Sequence, residues 1–440
     1  MLKKSYPTLK MLLFSAFGIM VFFLPIISGT TPLLYMISTL KIALKASLPL
    51  ILIICTALLC ITSVVVKKSS QKQYAHHMVK LMGKDGVVSR TLYFLGLTLG
   101  TMALLEMGPG FIVGEETGIL ALSLASSIFL TVLVAGIFVT MISSFGLLQF
   151  FGTLLEPIMR PLYKLPGCAA VDIVTSIASS AAVDIYLTNK IYTEKLYTKR
   201  EASTVATNFT VCSLGFFAVL CEIAGIVEYY GLVVCSSFII IFIMPIITSR
   251  VPPLSRIPDT YIDGKQNIDW IPSSSQTSIL IRAWESAVET AASASPRLLL
   301  SGTVDAAFFS TKVSAYVLSI ATVALIIGIY TPIFRWIGTP VIPIVKLLGI
   351  PNATEIAPSI LVGITEIAMP AILIAKQNIA PAASFFIVVL STVQVIFFTE
   401  SANAIIESDI PLKVWHLIVT FLVRTIIAMP MVAVTMHILF

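Results

Sequence analysis

The stretch AVDIVTSIASSAAVDIYLTNK, residues 170–190, decides how this chain folds. As a helix rising ~1.5 Å per residue it is long enough to cross ~30 Å of hydrocarbon once. Yet it carries Asp172, Thr175, Ser176, Ser179, Ser180 and Asp184, with no large apolar residue at its midpoint. Three fates are open to it: crossing the membrane, staying in water, or entering the membrane and turning back. Its surroundings decide between them.

Those surroundings are apolar. Of 440 residues, 57% are hydrophobic and 11% charged, against about 25% charged in a soluble domain. Runs such as 12–27, 48–66, 128–141, 233–247, 317–329, 384–398 and 417–429 are too apolar for a soluble fold. The expectation is an all-α polytopic membrane protein, because an outer-membrane barrel would show short alternating strands. The six cysteines form no C-x-x-C pair and read as small buried hydrophobes. His76-His77 is a poor metal site, and no cofactor or metal is expected. The formal charge of +6 calls for no nucleic acid, since membrane proteins gather Lys and Arg on the cytoplasmic side. The N-terminal MLKK and the apolar run behind it lack an A-x-A-like cleavage site and read as a retained first helix.

Positive charge sets the orientation. Lys67, Lys68, Lys72, Lys80, Lys84 and Arg90 crowd one connection, Arg160 and Lys164 precede the opening stretch, and Lys190, Lys195, Lys199 and Arg200 follow it. Arg250, Arg256, Lys265, Arg282 and Arg297 mark the long middle connection. With the N-terminus cytoplasmic and one crossing per apolar run, every cluster falls inside. Both flanks of residues 170–190 then share a side, so the stretch cannot cross once. Its Ile, Val and Ala content favours a re-entrant hairpin, about 168–190, turning near Ser179-Ser180. Such backbone is tolerated at depth where it is buried in protein or lines a wet cavity.

A second copy follows about 185 residues later, counted between paired positions. Phe151-Gly152-Thr153 matches Ile337-Gly338-Thr339, Leu165-Pro166 matches Ile350-Pro351, and Asp172 to Ile177 matches Glu355 to Ile360. Asp184-Ile185 matches Glu366-Ile367 after a one-residue slip. Each copy reads as helix, polar hairpin and two further helices. An odd number of crossings separates the copies, so the second hairpin, about 355–376, enters from the opposite side. Its turn falls near Gly363-Ile364-Thr365-Glu366. The organisation is N-terminal transmembrane helices over 1–117, repeat 1 over 118–250, a cytoplasmic linker over 251–304, and repeat 2 over 305–440. About nine helices span. In the linker, Ile281, Trp284, Val288 and Ala291 recur at helical spacing opposite Arg282, Glu285 and Glu289, the pattern of an interfacial helix. Inverted repeats with discontinuous helices meeting at the midplane build the substrate site of many secondary transporters.

Residues 155–167 (LEPIMRPLYKLPG), the hairpin stretch through Lys190 and Lys195 to Ala202 resemble YjiH-type bacterial inner-membrane proteins, which carry the nucleoside-recognition Gate domain. Residues 17–26 (FGIMVFFLPI) resemble the start of that family. The resemblance runs over most of the chain and is strongest over 155–225. It implies a bacterial inner-membrane location and an architecture shared with concentrative nucleoside transporters and with the pore part of ferrous-iron permeases. The chain has no G-x-x-x-x-G-K-[ST] motif, so the GTPase part of the iron permeases is absent from it.

Ionisable groups in hydrocarbon are functional candidates by default. Glu366, with Thr365 beside it and Ser179 and Ser180 opposite, forms the first candidate substrate site; the competing role for the hydroxyls is to satisfy their own hairpin backbone. Glu400, Ser401 and Asn403 after the second hairpin, and Asn208 after the first, resemble in position the polar post-hairpin helices of concentrative nucleoside transporters. Arg424 stands alone in the last apolar run as a counter-ion for Glu222, Glu366 or Glu400, or for a substrate carboxylate. Asp184 joins Glu222 and Arg424 as a charge-pair or coupling candidate, while Asp172 suits an N-cap. The expected function is a secondary transporter or permease for a small polar solute, with nucleosides implied by the family and amino acids or short peptides open. Coupling to H⁺ or Na⁺ fits the lack of a phosphate loop. The alternative is a Gate-scaffold membrane partner or regulatory subunit without transport of its own. An enzyme is not expected, because H-E-x-x-H is absent and the serines have no intramembrane His or Lys base. Partners beyond lipid and solute are a possible homo-oligomer or second membrane protein.

Overall fold

The regular elements are helices, the one open-ended element that satisfies its backbone within a single segment in lipid. The computed structural model describes residues 2–24, 31–68, 86–212, 214–266, 278–295, 297–375 and 377–440. Lys72, Lys80, Lys84, His76-His77, the linker serines Ser273 to Ser275 and Lys376 lie outside them.

The chain begins with α1 (Leu2–Phe23), the short α2 (Pro32–Ala43), α3 (Leu48–Lys68), α4 (Val87–Leu105) and a single turn, α5 (Gly110–Val113). On α3, Leu50, Ile54, Leu58 and Ile61 are exposed at three- and four-residue spacing, a lipid-facing stripe. On α4, Gly96 and Gly100 face Ala315 and Leu318; a Cβ on Gly96 would stand 2.3 Å from the Ala315 carbonyl oxygen. Two small residues a turn apart thus let the backbones touch.

Two halves of matching order follow. The first runs α6 (Gly118–Ser144), α7 (Leu147–Tyr163), a hairpin of α8 (Ala169–Ala178) and α9 (Ala181–Thr193), then α10 (Lys199–Asn208), α11 (Leu214–Ile223) and α12 (Tyr230–Thr248). After α13 (Ile279–Ser293) the second runs α14 (Arg297–Tyr316), a π-helical turn (Val317–Ala321) and α15 (Thr322–Tyr330). Next come α16 (Ile333–Gly338), α17 (Ile342–Leu347) and a hairpin of α18 (Ala353–Val362) and α19 (Met369–Ala375). The half closes with α20 (Pro381–Gln394), α21 (Ser401–Glu407) and α22 (Val414–Leu439). Among the described residues, six helical segments are long and apolar enough to cross a membrane: 48–65, 87–105, 110–144, 227–248, 297–330 and 414–439. This is an all-α multi-pass membrane protein. The hairpin limbs hold 7 to 13 residues, about 10–20 Å of helix and too short to cross.

The segments after the hairpins each read in sequence as a continuous helix, and the structure breaks both. The interruptions at 209–212 (FTVC) and 395–400 (VIFFTE) contain no Gly or Pro. Tertiary hydrogen bonds hold them open instead. Ser176 of the first hairpin donates to the Phe209 carbonyl at 2.7 Å and accepts from the Val211 N–H at 3.0 Å. In the second half, the N–H groups of Phe398 and Thr399 donate to the hairpin-turn carbonyls of Ile364 and Thr365, at 2.8 and 3.1 Å. Each hairpin therefore patches the helix that follows it. At the second break Val395 adopts φ 52°, a strained left-handed conformation for a β-branched residue.

The linker helix α13 packs inward through small residues. Its buried stripe is Ala283, Ala287 and Ala291, while Ile281 and Trp284 are exposed. Alanines permit close approach to α1 and α7. At Gly146, φ 100°, a Cβ would stand 2.4 Å from the Ala287 carbonyl oxygen.

Candidate functional site

Six pieces of chain meet at one cavity of about 250 Å³. The first hairpin turn supplies Ser179, Ser180 and Ala181, and the second supplies Glu366 and Ile367. The two breaks supply Cys212, Phe397, Thr399 and Glu400. Helix α6 adds Ser127 and Thr131, and α2 adds Lys41. Leu124, Ile128, Phe216 and Phe397 make much of the wall apolar.

Both glutamates are anchored on helix starts, where free N–H groups and the helix dipole favour an anion. Glu366 accepts through Oε2 from the N–H groups of Ala368 and Met369, the latter at 3.1 Å, and so caps α19. Glu400 accepts through Oε1 from the Ala182 N–H of α9 at 3.0 Å, joining the second break to the first hairpin. Lys41 interacts with Glu400 across the cavity. The site thus presents two carboxylates, one ammonium and several hydroxyls against apolar walls.

Of the residues the sequence singles out, Ser179, Ser180, Glu366 and Glu400 line this cavity. Ser179 donates to the Thr175 carbonyl and Thr365 to the Val362 carbonyl, so both hydroxyls serve their own hairpins. Ser401 stitches the second break, donating to Val395 at 2.7 Å and accepting from the Phe397 N–H at 3.0 Å. Asn403 donates to the Phe398 carbonyl, and its Oδ1 is buried without a donor.

The charge-pair candidates separate. Glu222 is exposed near the end of α11. Arg424 is fully buried and meets no carboxylate among the described residues, which corrects its reading as a counter-ion. It donates to the carbonyls of Gln394 (3.1 Å) and Val393 (2.6 Å) and to Asn208 Oδ1 (2.5 Å). Those acceptors are the C-terminal ends of α20 and α10, so one guanidinium closes both broken helices. Asn208, held also by Thr248, belongs to this clamp. Asp184 accepts from Thr210 at 2.9 Å. Asp172 is no N-cap: it accepts from Thr188 at 2.8 Å and Tyr197 at 3.1 Å, inside the first hairpin.

Sequence reasoning missed Lys41, Ser176 and Thr399. Lys41 had a signal, a cation near the end of the apolar α2 with Lys45 one turn on, but nothing in sequence pairs it with Glu400. A larger cleft of about 680 Å³ lies between α7 and α13. There Arg160 is committed to Glu156 (2.6 Å) and Glu201, so its charge is already matched.

Residues 125–227, spanning α6 into the first broken helix, match the Gate family described as nucleoside recognition. Over 358 residues the chain is 34% identical to an uncharacterized protein of Alkalihalophilus pseudofirmus, covering 78% of this chain and 75% of that relative. No solved structure matches. The chain belongs to the YjiH-like membrane proteins of the nucleoside-recognition Gate family.

Proposed function

We propose that this protein is a secondary transporter for a small polar solute, bound between the two hairpin turns and passed across the membrane by alternating access of the inverted halves. The observation that carries the reading is the convergence of Ser180, Glu366, Glu400 and Lys41 on one cavity flanked by two broken helices. Irregular backbone at membrane depth is worth its cost where it lines a solute path. At about 250 Å³ the cavity lies just below the ~300–1,000 Å³ of ligand pockets, a size for a metabolite rather than a polymer. Carboxylates accept hydrogen bonds from hydroxyls, amines or ring N–H groups, and the aromatic side chains of Phe216 and Phe397 in the lining suit a planar base. A nucleoside meets both demands, and the family description supports it. The Lys- and Arg-rich connections support a cytoplasmic N-terminus in a bacterial inner membrane.

Uptake of labelled nucleosides, nucleobases, amino acids and dipeptides into liposomes containing the purified protein tests this. Selective uptake that falls tenfold or more in Glu400→Gln is the expected result, since a bond to a charged acceptor is worth about 1.5–3 kcal/mol. Failure of every solute to enter or bind would favour a membrane partner subunit built on the same scaffold.

A further inference from the structure

Inside the first hairpin, Asp172 of α8 and Asp184 of α9 lie close enough for their carboxyl groups to interact. Both side chains are fully buried. Each uses one oxygen conventionally: Asp172 Oδ2 takes Thr188 and Tyr197, and Asp184 Oδ2 takes Thr210. The Oδ1 atom of each receives no hydrogen from any N–H or O–H group. Two bare carboxylates would leave two buried acceptors without a donor. One shared proton turns the same geometry into a bond.

No cation offers a different balance. Among the described residues neither aspartate forms an ion pair. The titratable neighbours are Tyr197, which donates to Asp172, and Cys168 at the start of α8. From the packed elements, Arg160 of α7 is held by Glu156 and by Glu201 of α10. Lys190 of α9 turns to Thr140 of α6, Lys10 of α1 to the Ala294 carbonyl, and Glu407 of α21 to Lys312. Two interacting carboxyl groups at a buried site favour binding one proton between them.

We propose that Asp172 and Asp184 form a proton-binding site holding one shared proton, and that this proton is the ion coupled to solute movement. The second clause rests on the transport reading; the first does not. The coupling route is the first helix break: Thr210 bonds Asp184, and Cys212, two residues on, lines the solute cavity. Rearrangement of residues 209–212 on solute release would remove the Thr210 donor and open the pair to water, which takes the proton. The second hairpin carries no equivalent, since Glu355, the residue matched to Asp172, is exposed.

Infrared spectra of the full-length protein in lipid read the proton directly, as the carbonyl stretch of an un-ionised carboxylic acid at neutral pH. The wild type should show a buried-acid band, lost in both Asp172→Asn and Asp184→Asn. Either variant is expected to fold, because its amide can donate to the remaining carboxylate as the proton does. A missing wild-type band would overturn the site without any variant, and so would a band surviving in a folded variant. Stabilisation of the wild type by Na⁺, lost in Asp184→Asn, would replace the proton with a metal cation and also overturn it. In liposomes, Asp184→Asn should lose uptake driven by a pH gradient while retaining solute exchange. Gradient-driven uptake persisting in a variant that lacks the band would overturn the coupling clause. If no solute is transported at all, the infrared result still decides whether the proton site exists.

Discussion

Arg424 shows how much one side chain can hold. Its guanidinium serves three acceptors on two helix ends. Arg424→Ala should destabilise the protein by about 3–5 kcal/mol, because buried polar partners lose their donor. Arg424→Lys should recover a minor part, since one ammonium lacks the fork that reaches both α10 and α20. Thermal unfolding of the two variants in one detergent checks the order. A second residue-scale test is Gly167, where a Cβ would stand 1.9 Å from the Gly152 carbonyl oxygen and 2.5 Å from Glu156 N. Gly167→Ala must therefore push the first hairpin off α7, with a loss of about 1–3 kcal/mol. The sequence marks Arg424 plainly as a charge in an apolar run. It hides the partners, because backbone carbonyls leave no trace in residue identity.

At the scale of elements, the hairpins and the helix breaks form one device. The hairpins were legible, because Asp172, Ser179, Ser180, Asp184 and Glu366 interrupt apolar sequence with groups lipid will not accept. The breaks were not, because FTVC and VIFFTE carry no Gly or Pro to mark them. Their opening is imposed from outside, by Ser176, Ser401 and the Ile364-Thr365 backbone. Ser176→Ala should accordingly orphan the Phe209 carbonyl and the Val211 N–H, at about 1–3 kcal/mol. Amide hydrogen exchange in lipid should rise locally at 209–212 in that variant. Unchanged exchange there would show that the break holds itself.

For the whole molecule, the two halves share an order of elements but have not kept the same chemistry. The first hairpin buries a carboxyl pair, whereas the second places Glu366 at its turn and leaves Glu355 exposed. Helix α21 is tied to the long helices through the buried Lys312–Glu407 pair, 3.0 Å, with Tyr93 donating to Glu407 at 3.1 Å. Breaking it with Lys312→Met leaves a buried carboxylate beside the second broken helix. The expected result is a lower unfolding temperature, recovered in part by Lys312→Met/Glu407→Gln. The order of elements the two halves share runs parallel to the paired sequence motifs. The cavity was readable only in part, since Lys41 comes from a helix outside both repeats.

The central claim is that the space between the hairpin turns binds a small polar solute. Thermal stabilisation of the purified protein by a solute panel tests it most directly, run on the wild type, on Glu400→Gln and on the exposed control Glu222→Gln. The account predicts stabilisation by one chemical class, retained in Glu222→Gln and lost in Glu400→Gln. Equal stabilisation of all three would place the solute elsewhere and contradict it.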